Sequence, residues 1–487
     1  MAADPLLYTD VVVVGAGAAG LYAALTAADT GASVALVSAT PLAQTASYWA
    51  QGGIAAALAV EDSPERHLAD TEAAGRRAVR RSAARVLVDE APSHVAALES
   101  LGVRFDADRR GVLALGLEGG HSVRRVVHAG GSATGRRIVR QLSALAVDRP
   151  QITVIEGARA TSAWVRDGRC EGILLEDGRA LRARATILAT GGAAALWSRT
   201  TNPPGSLGIG MTIAHAAGAE LADLEFLQFH PTAVTGIPGR EGFLVTEAIR
   251  GEGATLHGPD GERFVDELAP RDEVARAIVD LLTQTGAACV TLDMRAVDPT
   301  RFPNVVAALS DAGLDPTTQP IPVAPASHYM MGGVVSDLHG RSTLPGLYAV
   351  GETACTGLHG ANRLASNSLS ECFVYGARSA LAGLDEPALP ASAPGVSPPA
   401  PAPLAHPSRA TQDALWRDAG IVRTREGLEC LLDDPHPLAR LIAACALRRE
   451  ESRGAHGRAD YPQSDGRLDH HHAVVGVGGD SRLERWE

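Results

Sequence analysis

The sequence predicts an α/β fold: a Rossmann-like domain interrupted by an α+β domain that caps it, with a helical domain at the C-terminus. Three observations predict this. A β-branched run, Val11-Val12-Val13-Val14, enters the turn Gly15-Ala16-Gly17-Ala18-Ala19-Gly20. Two further apolar segments, far along the chain, run into glycine turns of the same kind, and the stretch between them changes to punctuated loops rich in His, Arg and Glu.

Residues 11–14 lack alternation, as a central parallel strand covered on both faces does. Residues 11–28 carry no charge, a length that raises a membrane span or a signal peptide. Asp4 and Asp10 precede the run where a signal peptide is basic, and Gly15, Gly17 and Gly20 interrupt it. A strand, a glycine turn and an alanine-rich helix ending near Gly31 fit better, with a second strand over 33–37. Placed between strand and helix, G-x-G-x-x-G lets the backbone approach a pyrophosphate at the helix N-terminus. Gly15, Gly17, Ala18 and Gly20 are the candidate contacts. Ser38 stands where an acidic residue usually holds the ribose hydroxyls.

Residues 185–188 run into Ala189-Thr190-Gly191-Gly192, and residues 346–350 run into Gly351-Glu352. These assign residues 1–222 and 333–384 to one discontinuous nucleotide domain and 223–332 to the capping domain, with Glu352 as a partner for sugar hydroxyls. Residues 385–408 are Pro/Ala-rich, a stiff linker. Residues 409–487 form the C-terminal domain, helical in pattern through Leu447.

Composition narrows the chemistry. The 487 residues include 44 basic ones, every one an arginine, so Schiff-base, pyridoxal-phosphate and Walker-type lysines are excluded. A net charge of −12 leaves no basic footprint for nucleic acid or an anionic membrane. Six cysteines without a C-x-x-C signal neither zinc nor a disulfide framework, and reduced thiols predict a cytoplasmic protein. Asp469 and the run His470-His471-His472 lack a second ligand cluster, so a solvated loop is expected rather than a metal site.

Candidate chemistry gathers in Gln228-Phe229-His230-Pro231-Thr232, in residues 244–253 and 269–276, in Ala326-Ser327-His328-Tyr329, and in Gly357 to Ser368 with Arg363. Histidines and arginines in glycine-rich loops are a costly core. In an acidic chain they form a receptor for a small dianion, because guanidinium presents a planar fork to carboxylate.

At these residues the chain resembles the flavoprotein family of succinate dehydrogenases, fumarate reductases and L-aspartate oxidases, its L-aspartate oxidase branch above all. The resemblance extends over residues 10–377 and returns at Arg448-Arg449-Glu450-Glu451-Ser452-Arg453-Gly454-Ala455-His456. It implies FAD along Gly15, Gly17 and Gly20, with Glu352 on its hydroxyls. The loop carrying Gln51, Gly52 and Gly53 would pack near the isoalloxazine. Asn367, Ser368 and Leu369 would open a helix toward the flavin pyrimidine. It also implies that His230, Thr246, His328 and Arg363 hold a dicarboxylate, that Arg271 shuttles a proton, and that Glu118 recognises an amino group. The expected reaction is oxidation of L-aspartate to iminoaspartate, with O2 (giving H2O2) or fumarate as acceptor. It is the first step of quinolinate and NAD synthesis, with quinolinate synthase as the functional partner.

Two alternatives compete. A succinate dehydrogenase or fumarate reductase flavoprotein subunit commonly links a histidine to the flavin, but Ala46 stands at that position, so FAD is expected to be non-covalent. A silent FAD-binding protein is disfavoured by the intact set His230, Arg271, His328 and Arg363. Arg271 alone reads more simply as an ion pair with Asp272 or Glu267.

Overall fold

The computed structural model describes residues 6–389 and 398–487. Strand Leu6–Val14 sits inside a seven-stranded sheet, parallel to Val34–Ser38 on one side and to Ala180–Leu188 on the other. Ile152–Glu156 extends the parallel part beyond Val34–Ser38, and Leu347–Ala349 pairs in parallel with the end of Ala180–Leu188. An antiparallel meander, Ala160–Arg166 and Arg169–Leu175, closes the other edge.

The lack of alternation in the first strand has a packing cause. Val11 and Val13 face one core with helix Ala18–Asp29, while Val12 and Val14 face a second core on the opposite side. The segment of 18 uncharged residues is thus a buried strand, turn and helix. No helix among the described residues is long and apolar enough to cross a membrane.

A four-stranded antiparallel sheet, in the order Leu227–Val234, Ile321–Met330, Val290–Asp293 and Thr255–His257, carries the inserted segment. Helix Arg271–Thr285 packs on it, and its core of Val234, Leu256, Val274, Leu292 and Val323 is separate from the other two. This sheet presents His230 and His328 from adjacent antiparallel strands.

Helices Arg409–Asp418, Arg425–Leu431 and Pro437–Arg448 follow the Pro/Ala-rich stretch, of which residues 390–397 lie outside the described residues. Their Leu415, Leu428, Leu438 and Ile442 join the second core, which packs on the sheet through Val12 and Val14. The end of the chain departs from a purely helical reading. Strands His471–Val475 and Ser481–Arg485 add a hairpin to Leu221–Ala222. The histidine run corrects in the same way: His471 and His472 are in a strand rather than a solvated loop. His472 is buried, its Nδ1 lies 2.6 Å from Asp223 Oδ2, and its ring stacks on Trp486 at 4.1 Å. Strand pairing supplied by a distant segment turned this polar run inward, which local polarity does not reveal.

The motif at 448–456 seats beneath the loop that carries Arg363. Arg449 Nε lies 2.6 Å from Glu225 Oε1, both fully buried, and Ala455 N–H donates to Ala361 O at 2.8 Å. Burial pushes the Glu225 carboxyl up to about 7 even with Arg449 beside it.

Candidate functional site

The nucleotide turn has the shape a pyrophosphate needs. Gly15 has φ +110°, and a Cβ there would collide with Ala189 O, so the two turns lie back to back. Helix Ala18–Asp29 starts without a side-chain cap, and its Ala18 N–H reaches Ser47 Oγ at 3.1 Å, which brings the Ser47–Gly53 loop over the turn beside Gly17. Gly192 lies against Glu352, whose Oε1 accepts from Met330 N–H at 2.8 Å, and Gly191 O accepts from Thr353 Oγ1 at 3.2 Å. Burial raises the Glu352 carboxyl to about 8. These residues fit FAD. Ser38 is buried at the end of its strand and donates to Thr40 O at 2.6 Å.

The other cofactor candidates converge from afar. Gly53 N–H donates to Ser366 Oγ at 3.1 Å, and a Cβ on Gly52 would contact both Ser366 and Glu118. Gln51 Nε2 donates to Leu244 O at 3.0 Å, tying the loop to the capping domain. Helix Asn367–Leu384 opens with Ser368 and Leu369 in its first turn, leaving its N-terminal N–H groups uncapped by side chains. Asn367 itself is turned away: its amide reaches His67 at 2.7 Å and Thr71 at 3.0 Å.

Strand Leu227–Val234 places Gln228 and His230 on one face, because side chains two apart on a strand point the same way. His230 and His328 meet edge to face at 5.1 Å. Thr232 N–H donates to His230 Nδ1 at 3.3 Å, so the neutral imidazole carries its proton on Nε2. Thr201 Oγ1 lies 2.8 Å from His328 Nδ1. Burial, aided by the charges of Arg271 and Arg363, holds both histidines well below the ordinary imidazole value. They are neutral hydrogen-bonding groups, and the positive charge of the site belongs to the guanidinium pair.

Arg363 lies 4.5 Å above the Tyr329 ring and donates to Ser368 Oγ at 2.7 Å and to Gln228 Oε1 at 3.2 Å. Burial and Arg271 lower it to about 10, so it stays charged at neutral pH. Arg271, the first residue of helix Arg271–Thr285, donates to the same Gln228 oxygen at 3.0 Å and to Glu247 Oε2 at 2.6 Å. Its expected alternatives as a plain ion-pair partner are taken by others: Asp272 pairs with Arg76 and Glu267 with Arg263. Glu247 Oε1 lies 3.5 Å from Arg250 Nη2, extending a buried chain of alternating charge away from the site.

Glu118 is 3% exposed. Its Oε2 accepts from Ser366 Oγ at 2.6 Å, and Ser366 holds a left-handed φ of +63° before the helix. A non-glycine residue in that region costs about 1–3 kcal/mol and persists where its surroundings impose it. Burial opposes ionisation of Glu118, but His128, Ser366 and Arg271 outweigh it and hold the carboxyl down at about 2. Thr246 is buried and, with Gln51, lines a cavity of about 240 Å³ between the two domains.

The sequence reading held Gln228, Glu247 and Ser366 inside its candidate clusters without giving them a role, and missed Thr201. Alternation from His230 signals Gln228. The other three are brought in by tertiary packing, Thr201 across 127 positions.

Comparison with known proteins bears on these contacts. A family model described as an FAD binding domain matches residues 10–369, and one described as fumarate reductase flavoprotein C-term matches residues 432–485. The chain is 42% identical to an L-aspartate oxidase of Streptomyces coelicolor, over 97% of this chain and 92% of the relative. It is 46% identical to one of Mesorhizobium japonicum, over 93% and 92%. Among solved structures, an E. coli quinol fumarate reductase chain superposes with a TM-score of 0.86 at 27% identity, covering 98% of this chain and 96% of that one. A Mycobacterium smegmatis Sdh1 complex in the apo form gives 0.83 at 29%, covering 99% and 95%.

Proposed function

The chain belongs to the FAD-dependent L-aspartate oxidase family, and from that membership we propose how its site works. It is an FAD-dependent oxidoreductase that converts L-aspartate to iminoaspartate, with O2 or fumarate as electron acceptor, at the start of NAD synthesis. The observation that carries the assignment to its site is the convergence of Arg271, Arg363, His230 and His328 around Gln228, next to the buried carboxylate Glu118.

When bound, FAD supplies the acceptor for the hydride that leaves Cα. Gly15, Gly17, Ala18 and Gly20 would receive its pyrophosphate, Glu352 its hydroxyls, and the first turn of Asn367–Leu384 its pyrimidine edge. The protein's own part is orientation. Arg363, held by Gln228, Ser368 and the Tyr329 ring, clamps one carboxylate. His230 Nε2–H, His328 and Thr246 bind the other, fixing the Cα–H bond in one direction. Glu118 receives the ammonium, which the surrounding cations otherwise repel.

Arg271 delivers a proton when fumarate is reduced. A guanidinium holds its proton firmly, so the donation needs a replacement at once, and Glu247, between Arg271 and Arg250, is placed to take up a proton and pass it to Arg271. In the aspartate direction Arg271 serves as a charge near the substrate.

We place the enzyme in the cytoplasm, supported by its reduced-thiol composition, and in functional coupling with quinolinate synthase, supported by the ready hydrolysis of an imine product. The assignment is tested by assaying the yellow protein with L-aspartate and with succinate, using O2 and fumarate as acceptors. Turnover of L-aspartate with either acceptor is expected. Oxidation of succinate without oxidation of L-aspartate would assign the chain to the succinate dehydrogenase branch.

A further inference from the structure

We propose that His128 is the proton acceptor behind Glu118 when an amine substrate is oxidised. The inference rests on the aspartate-oxidising reading and on Glu118 as the site of the ammonium. His128 follows the short strand Val126–Val127, which pairs with Ile54–Ala55 and Leu115–Gly116. Gly116 makes room for the ring: a Cβ there would lie 2.6 Å from His128 Cε1. The imidazole Nε2 lies 3.5 Å from Glu118 Oε1, and neither atom has a hydrogen-bond partner, whereas the other carboxylate oxygen is held by Ser366. His128 also lines the cavity shared by Gln51 and Thr246, so its ring stands between that cavity and Glu118.

The chemistry requires such a group. An amino acid arrives as its ammonium. The Cα–H bond breaks with its electron pair leaving as hydride to the flavin, the C–N bond becomes C=N, and one N–H bond breaks with its electrons retained by nitrogen. The proton released must go to the protein. A carboxylate clamps an ammonium well but, with an ordinary value about two units below that of imidazole, keeps a proton poorly. A neutral imidazole beside it is the better base.

The charged groups around His128 leave Glu118 as its partner. Asp106 accepts N–H bonds from Gly130 and Gly131 at 2.7 and 2.8 Å, and its own N–H donates to His128 O at 2.8 Å. Across the cavity Glu252 pairs with Arg301, and with Arg124 at 3.9 Å. Arg271 acts on Glu118 from the substrate side. When His128 is protonated it competes with the substrate ammonium for Glu118. When it is neutral it accepts the released proton. Turnover of L-aspartate therefore falls as His128 becomes protonated, and fumarate reduction, whose substrate has no amine, lacks that dependence.

The test uses FAD-loaded His128→Gln and His128→Leu. Wild-type kcat/KM for L-aspartate should show an acid limb that fumarate reduction lacks. In His128→Gln that limb should vanish and the plateau fall by about a hundredfold, at least about tenfold more than any loss in fumarate reduction. L-aspartate affinity, read from the flavin absorbance change, should lose its pH dependence while that of succinate is unmoved. If His128→Leu does not load flavin, His128→Gln, which keeps an N–H toward Glu118, carries the test. An unmoved acid limb, or equal losses in both reactions, would overturn the role of His128. Wild-type protein that fails to oxidise L-aspartate would instead overturn the functional reading beneath it.

Discussion

Arg271 and Arg363, two buried guanidinium groups on different elements, donate to one oxygen, Gln228 Oε1, at 3.0 and 3.2 Å. A single neutral acceptor thus bridges two like charges in one site; Glu247 pairs with Arg271, and the charge of Arg363, bonded to the neutral Gln228 and Ser368, is left for a dianion. An acidic residue in its place would neutralise the pair and weaken the receptor.

Gln228→Leu should release both forks. Kcat/KM for L-aspartate is expected to fall by roughly one to two orders of magnitude, at about 1.5–3 kcal/mol for a hydrogen bond to a charged group, while the FAD spectrum stays near normal. Arg363→Leu should cost more, about 3–5 kcal/mol, because it strips one carboxylate of its buried charge partner. Loss of flavin in Arg363→Leu would place that arginine on the cofactor.

Glu247→Gln tests the proton supply to Arg271. The variant keeps a hydrogen-bond acceptor for Nε but supplies no carboxyl proton. Fumarate reduction by the pre-reduced enzyme should drop about a hundred- to ten-thousandfold, as in Arg271→Leu. Single-turnover reoxidation of the flavin by fumarate measures it, and unchanged rates would remove the pair from proton delivery.

Glu118→Gln separates amine recognition from dicarboxylate recognition. The clamp of His230, Thr246, His328 and Arg363 meets the same two carboxylates in aspartate and in succinate, so only the ammonium distinguishes them. Kcat/KM for L-aspartate should fall by about one to three orders of magnitude and fumarate reduction by much less. Equal losses would make Glu118 a general shaper of the site.

FAD should be released by acid precipitation, leaving a colourless pellet and a yellow supernatant. The 3₁₀ turn Ala46–Trp49 offers Ala46 where a linking histidine would stand. Colour retained in the pellet would mean a covalent bond formed elsewhere.

Acid should destabilise the fold early. His230, His328 and His456 are buried with values well below the ordinary one, and burial takes His67 down to about 3. The unfolded chain binds these protons first, at about 6.5. The stability these rings contribute is therefore full above that pH and falls as pH drops below it, by up to about 1.4 kcal/mol per pH unit for each histidine. Glu225 and Glu352, raised to about 7 and about 8, act with the opposite sign as pH falls, two carboxyls against four histidines. Thermal unfolding of the holoenzyme between pH 6.5 and 5, where the histidines prevail, measures the slope. A melting temperature that is flat or rises toward pH 5 would contradict the burial assigned to these rings.

Much of this molecule was legible locally. The run at 11–14, the glycine turn after it and the repeat of that pattern at 189–192 and 351–352 identify a parallel sheet with a nucleotide at its strand ends. Sterics make glycine necessary there, and an uncharged strand must be buried on both faces. His230 and Gln228 share a face by strand alternation, and Arg363 stands in a loop too polar for a core. The sequence could not say which partners these side chains would take. Arg271 passed over its neighbours Asp272 and Glu267 for Glu247, Glu118 reached Ser366 across 248 positions, and the histidine run turned inward to meet Asp223. Hydrogen bonds and charge pairs act over a few ångströms, so their partners are settled by how distant strands and helices pack. Hydrophobic pattern and backbone sterics act between neighbours in the chain, and those the sequence carries by itself.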